Sequence, residues 1–155
     1  MAISLTDFEF LCGFRPAIEI FASLSQLPIL RKVVGEEATN KMQIAARKCE
    51  PGYSEENQQA IQFAFQRLLE TDDTTMRSAV KELFDIAQKS EQKSTQGCNF
   101  ITDMKMPMRT FLKLYHDYPE DIGIFSIFFL NYFHLKPGEA VFIPPNQIHA
   151  YLSGG

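Results

Sequence analysis

Lys136 to Gly155 reads K-P-G-E-A-V-F-I-P-P-N-Q-I-H-A-Y-L-S-G-G, and this stretch decides the fold. Lys136-Pro137-Gly138 is a tight-turn sequence, because proline presets an early turn dihedral and glycine accepts the positive φ of a later one. It separates two apolar runs, Phe128–Leu135 and Ala140–Ile143. Pro144-Pro145-Asn146 makes a second corner and leads into Ile148-His149-Ala150-Tyr151-Leu152. Strand, turn, strand, proline-rich corner, strand is the pattern of a small antiparallel barrel. Side chains alternate across a strand, so His149 and Tyr151 share one face while Ile148, Ala150 and Leu152 take the other. An imidazole and a phenol on one side of a barrel strand suit the wall of a polar cavity.

Working back from this stretch, helix signals replace strand signals. Met108, Phe111, Leu112 and Tyr115 form an apolar stripe, with Pro107 in the opening turn and Pro119 ending the helix. Lys89–Asn99 is polar and reads as an exposed linker. Met76, Ala79, Val80, Leu83, Ile86 and Ala87 predict a helix opened by Asp72-Asp73. Ser54 is an N-cap before Glu55 and Glu56, and Ala60, Ile61, Ala64, Phe65, Leu68 and Leu69 follow as a broad apolar face. Pro51-Gly52 breaks the chain ahead of it. Shorter helices are predicted after Pro16, after Pro28 up to Gly35, and from Glu36-Glu37 onward. Met1–Phe14 is strand-like. The fold class is therefore α+β, a mainly helical insert with strands at both ends, which would leave apolar strand edges exposed.

Composition narrows the function. Net charge is −4 with no run of Lys or Arg, which speaks against a nucleic-acid footprint. Cys12, Cys49 and Cys98 are widely spaced and odd in number, without C-x-x-C, as expected of unpaired thiols in a reducing compartment. No secretory leader is read at Met1, and the apolar run Ile124–Phe133, broken by Ser126 and Asn131, is too short to span a bilayer. The expectation is a cytoplasmic monomer with no membrane partner. Glycine-rich phosphate loops, G-x-S-x-G and H-E-x-x-H are absent. Asp72-Asp73 and Glu55-Glu56 sit at helix starts, where capping and the helix dipole account for them. The Met104, Met106, Met108 alternation reads as gap-filling.

Several blocks carry a family resemblance. Tyr118-Pro119-Glu120-Asp121-Ile122-Gly123, Leu130-Asn131, Leu135-Lys136-Pro137-Gly138-Glu139-Ala140 and His149-Ala150-Tyr151-Leu152, together with Met1-Ala2-Ile3, Leu5 and Leu11-Cys12-Gly13-Phe14-Arg15-Pro16, resemble type I mannose-6-phosphate isomerase, a zinc enzyme of the cupin superfamily. The resemblance implies residual cupin strands over 1–14, a helical domain over 15–118 and the start of the C-terminal cupin (jelly-roll) barrel over 119–155. It implies interconversion of mannose 6-phosphate and fructose 6-phosphate, in carbohydrate metabolism leading to GDP-mannose. It places His149 on a zinc-ligand histidine and Tyr151 in the wall of the sugar pocket. The family's remaining ligands, a glutamine, a second histidine and a glutamate, would precede Met1, and its reacting arginine and acidic groups would follow Gly155. The chain is thus expected to be an internal segment that neither grips zinc nor turns over alone, since chelation rather than one imidazole supplies affinity.

The bland readings stand beside these. His149 also fits a histidine satisfied by a backbone carbonyl, and Tyr151 an aromatic with its hydroxyl at a rim. His134 reads as a strand-packing residue, His116 as an exposed helix-end residue, and Glu139 as part of the turn. Two other functions remain open: a non-catalytic interaction segment using its strand edges, and a module building a metal site from two chains, each giving His149.

Overall fold

The computed structural model describes residues 1–48, 54–93, 105–119 and 121–154. Cys49, Pro51-Gly52, Cys98 and Met104 lie outside the described residues, as does most of the linker. The chain forms two compact units, one of Met1–Arg15 with Phe129–Gly155 and one of Pro16–Phe128.

The first unit is built of strands β1 (Ala2–Ile3), β2 (Phe8–Phe14), β3 (Leu130–Leu135), β4 (Ala140–Val141) and β5 (His149–Ser153). The pattern predicts C-terminal strands forming a piece of their own. The structure corrects this: β2 is the central strand of an antiparallel sheet ordered β3-β2-β5, and β1 pairs with β4. Phe10 stands opposite both Phe133 and Tyr151, and Cys12 opposite both Asn131 and His149. Burial explains the arrangement, because Phe8, Phe10 and Leu11 are exposed by only 8%, 0% and 1%. A strand apolar on both faces belongs in a sheet's interior. The turn at Lys136 forms as expected, with Glu139 N–H donating to the Lys136 carbonyl at 3.0 Å and Gly138 at φ 88°. It delivers the chain to β1, since Gly138 N–H donates to Ser4 O at 2.8 Å and Ser4 N–H to Glu139 O at 2.9 Å.

The second unit holds α1 (Ala17–Gln26), α2 (Pro28–Val34), α3 (Glu36–Arg47), α4 (Glu55–Leu69), α5 (Asp73–Lys93), α6 (Lys105–Asp117) and a 3-10 helix, Ile122–Phe128. Ser54 caps α4, accepting from Asn57 N–H at 3.3 Å, and Asp72 Oδ2 accepts from Thr75 N–H at 2.8 Å at the start of α5. Ile20, Leu24, Leu30, Met42, Leu68, Leu83, Phe111, Phe125 and Phe128 are buried in this unit. Two expectations give way here. The expected linker begins as helix, for α5 continues to Lys93; Glu, Gln and Lys are good helix formers and propagate a helix without an apolar stripe. The expected strand at Phe128 starts at Leu130 instead, and Ile122–Phe128 packs with α4, α5 and α6. Asp121 Oδ1 accepts from Gly123 N–H at 2.7 Å and Ser126 Oγ donates to Gly123 O at 2.6 Å, local bonds that compete with an extended backbone.

Candidate functional site

Alternation gives the β3-β2-β5 sheet two faces. On one, Phe8, Phe10 and Cys12 of β2 are flanked by Leu135, Phe133 and Asn131 of β3 and by Tyr151 and His149 of β5. The rings pack side by side: between centroids, Phe8–Phe10 at 5.3 Å and Phe10–Phe133 at 5.2 Å are stacked, and Phe8–Tyr151 at 5.2 Å and His149–Tyr151 at 5.6 Å are tilted. Phe10 is fully buried, whereas Tyr151 is 60% exposed and His149 is exposed. The face therefore grades from an apolar floor to a wet end carrying an imidazole and a phenol. His149 and Tyr151 do lie together, and the wall they form is open rather than enclosed.

The imidazole is held in a definite state. Nδ1 of His149 lies 2.8 Å from the Gln147 carbonyl oxygen. A carbonyl can only accept, so Nδ1 is the donor, and in the neutral ring the lone pair is then on Nε2. Metal-binding histidines are commonly arranged this way, one ring nitrogen donating to a carbonyl while the other coordinates. The rest of a zinc site does not follow. Among the described residues, no three His, Cys, Asp or Glu side chains stand close enough to hold a metal ion. Zinc takes at least three protein ligands, so these residues fit one corner of such a site and not the site. Cys12, opposite His149, adds no ready ligand, because burial pushes its thiol up and away from the thiolate.

The opposite face carries a network that the strand pattern did not single out. Glu9, in the middle of β2, accepts a 2.6 Å hydrogen bond from Tyr132 of β3 and another from Ser153 of β5. Burial first, then the Glu9 hydrogen bond and charge, push the Tyr132 phenol well above its ordinary range. Asn131, in the sequence a break in an apolar run and one of the resemblance residues, donates its amide toward the carbonyls of Cys12, Gly13 and Phe14. The only sequence signal for either is a polar residue inside a strand otherwise rich in apolar side chains.

The other histidines stand apart from this site. His134 does not pack in the sheet but is exposed, with Nε2 3.3 Å from Asp7 Oδ1, because it shares the wet edge of Glu9's face. His116 is exposed at the end of α6 beside Asp117, and Glu139 is exposed, accepting from Lys136 N–H at 2.7 Å. In the helical unit a groove of about 360 Å³ lies between α3 and α4, walled by Lys41, Ile44, Lys48, Glu56, Asn57 and Phe63. Its two lysines are matched by Glu37 and Glu56, so it presents no net cationic seat.

Comparison with known proteins agrees with the helices and the sheet alike. Residues 33–130 match the family described as phosphomannose isomerase type I, helical insertion domain. The mannose-6-phosphate isomerase of Aspergillus fumigatus is 38% identical over 163 aligned positions, spanning 99% of this chain and 35% of that protein. The human mannose-6-phosphate isomerase is 35% identical, across 99% of this chain and 34% of its own length. The Salmonella typhimurium mannose 6-phosphate isomerase, crystallised with fructose 6-phosphate and zinc, superimposes with a TM-score of 0.61 at 24% identity, covering 98% of this chain and 32% of that one. That likeness speaks to the fold. The chain spans 35% and 34% of the two curated relatives, so it corresponds to one part of each. With 98 of its residues matched end to end by the helical-insert family (33 through 130), the chain belongs to the type I phosphomannose isomerases.

Proposed function

We propose that this chain supplies the helical insert and part of the sheet of a zinc-dependent mannose-6-phosphate isomerase, the aldose–ketose isomerase that interconverts mannose 6-phosphate and fructose 6-phosphate. In this reading His149 offers Nε2 as one ligand of a metal centre, and Tyr151 lines the sugar side of the same face. The observation that carries it is the Nδ1–H bond from His149 to the Gln147 carbonyl, which leaves Nε2 free to coordinate beside an exposed phenol. The relatives' names supply the reaction. A phosphosugar partner, a cytoplasmic location and a monomeric state belong to the same reading; the free Cys12 thiol supports the reducing compartment.

Among the described residues the site gathers one imidazole, that of His149, and no cluster of metal ligands, so the isolated chain is expected to be inactive. A coupled assay of fructose 6-phosphate formed from mannose 6-phosphate tests both statements. The 155-residue chain alone should give no turnover above background. Grafted in place of the matching region of the Aspergillus fumigatus relative, it should support turnover that His149→Gln abolishes. Zinc-dependent turnover by the chain alone overturns the first statement, and a graft indifferent to His149→Gln overturns the second.

A further inference from the structure

β2 is irregular where it passes His149. Its register against β3 shifts between Cys12 and Phe14, leaving Gly13 as the bulge residue with φ 67°. That backbone conformation favours glycine, whatever the space around it. A Cβ at position 13 would lie 2.7 Å from Nε2 of Gln147 and 3.7 Å from Nδ2 of Asn131. The Gln147 side chain is thus seated against the bare backbone of Gly13.

Two further contacts hold this arrangement. Asn131 Nδ2 reaches the Phe14 carbonyl at 3.0 Å, that of Gly13 at 3.2 Å and that of Cys12 at 3.4 Å. One amide therefore reaches three successive carbonyls at the bulge. From the other side, Gly13 N–H donates to Ile148 O at 2.9 Å, fixing the backbone immediately before His149. The Gln147 carbonyl, between that bond and the seated side chain, accepts from His149 Nδ1 at 2.8 Å.

We propose that the Gly13 bulge, clamped by Asn131, is a positioning device: it seats Gln147 and thereby fixes the orientation and tautomer of the His149 ring. β-bulges commonly re-aim side chains next to functional sites. Here the bulge does so at one remove, through the residue that receives the imidazole proton. Asn131, Gly13 and Gln147 are positioning residues, and none of them needs to touch substrate or metal. The use of a fixed Nε2 lone pair rests on the reading of His149 given above; the fixing itself rests on the bulge geometry alone.

The test is the tautomer, read without metal or substrate. The full 155-residue chain, with 15N-labelled histidine, is studied at about pH 8, above the ordinary imidazole range of ~6.5. Two-bond correlation spectra distinguish protonated from bare ring nitrogens, and His149→Gln assigns the signals. The native chain should show His149 as one tautomer with the proton on Nδ1. Gly13→Ala and Asn131→Ala should abolish that single pattern, with the two ring-nitrogen shifts converging, while His116 and His134 stay unchanged. Gln147→Ala leaves glycine and clamp in place and should have the same effect, which keeps the test valid if Gly13→Ala does not fold. A purely structural role would lower stability without moving the ring shifts of folded molecules. A native His149 with mixed tautomers, or Asn131→Ala and Gln147→Ala chains that retain the single pattern, overturns the proposal. If the tautomer responds as expected while His149→Gln leaves the grafted enzyme active, the positioning stands and the metal-ligand reading falls.

Discussion

The Tyr132 hydroxyl donates a 2.6 Å hydrogen bond to the Glu9 carboxylate across 123 residues of sequence. Ser153 donates to the other carboxylate oxygen, so one side chain ties β3 and β5 to the strand between them. Hydrogen bonds to a charged acceptor contribute roughly 1.5–3 kcal/mol when dry, and the half-exposed position screens part of that. Tyr132→Phe should therefore lower stability by about 1 kcal/mol, seen as a lower urea midpoint at unchanged slope. A double-mutant cycle with Glu9→Gln should recover coupling of the same sign. Additive effects of the two substitutions would show that the bond stabilises nothing.

The same pair predicts an alkaline weakness. In the unfolded chain the phenol ionises at its ordinary value of 10.0, whereas burial and the Glu9 carboxylate raise it in the folded state. Above that pH the unfolded chain releases a proton that the folded chain retains. The stabilising contribution is thus present in full below the unfolded value and lost as pH climbs from there toward the raised folded one. Urea midpoints taken from about pH 9 to about pH 11 should fall more steeply for the native chain than for Tyr132→Phe. Parallel slopes would contradict the raised phenol.

Asp72 predicts the opposite limb. Hydrogen bonds from the backbone and hydroxyl of Thr75 hold its carboxyl below the ordinary 3.8. The folded value is depressed, so its contribution is present above the unfolded value and lost as pH falls through the folded one. Asp72→Asn keeps a capping acceptor but cannot titrate. Thermal melts taken below about pH 4 should show a shallower acid decline for this variant than for the native chain.

What could be seen in the sequence follows from where each cause lies. Ser54, Asp72 and Pro28 mark helix starts because caps act within one turn, and the structure has helices starting at each. His149 and Tyr151 share a face because alternation is a property of one strand. The central place of β2 was not visible, since Phe8, Phe10 and Leu11 announce burial without naming their partners, which lie more than a hundred residues away. Gly13 lies inside the strand-like Met1–Phe14 without announcing a bulge, because a bulge is defined by two strands and a sequence shows one. Gln147 was silent because its carbonyl is a group every residue has, and the seat of its side chain is a glycine on another strand.

Core truncation in the helical unit is best tested at Phe111. Its side chain is fully buried, with ring centroids 6.1 Å from Tyr115 and 6.5 Å from Phe125. Phe125 belongs to the 3-10 helix, whose i→i+3 hydrogen bonds have poorer geometry than those of an α-helix, so burial matters more to it. Phe111→Ala removes the ring against which that segment rests, at a cost of about 3–5 kcal/mol, a large share of a typical domain's stability. Phe111→Leu fills most of the space and should cost under half as much. Hydrogen exchange at the amides of α6 and of Ile122–Phe128 should accelerate sharply in the alanine variant and mildly in the leucine variant. Equal protection in all three chains would mean that the 3-10 helix is held by its Asp121 and Ser126 bonds rather than by the aromatic core.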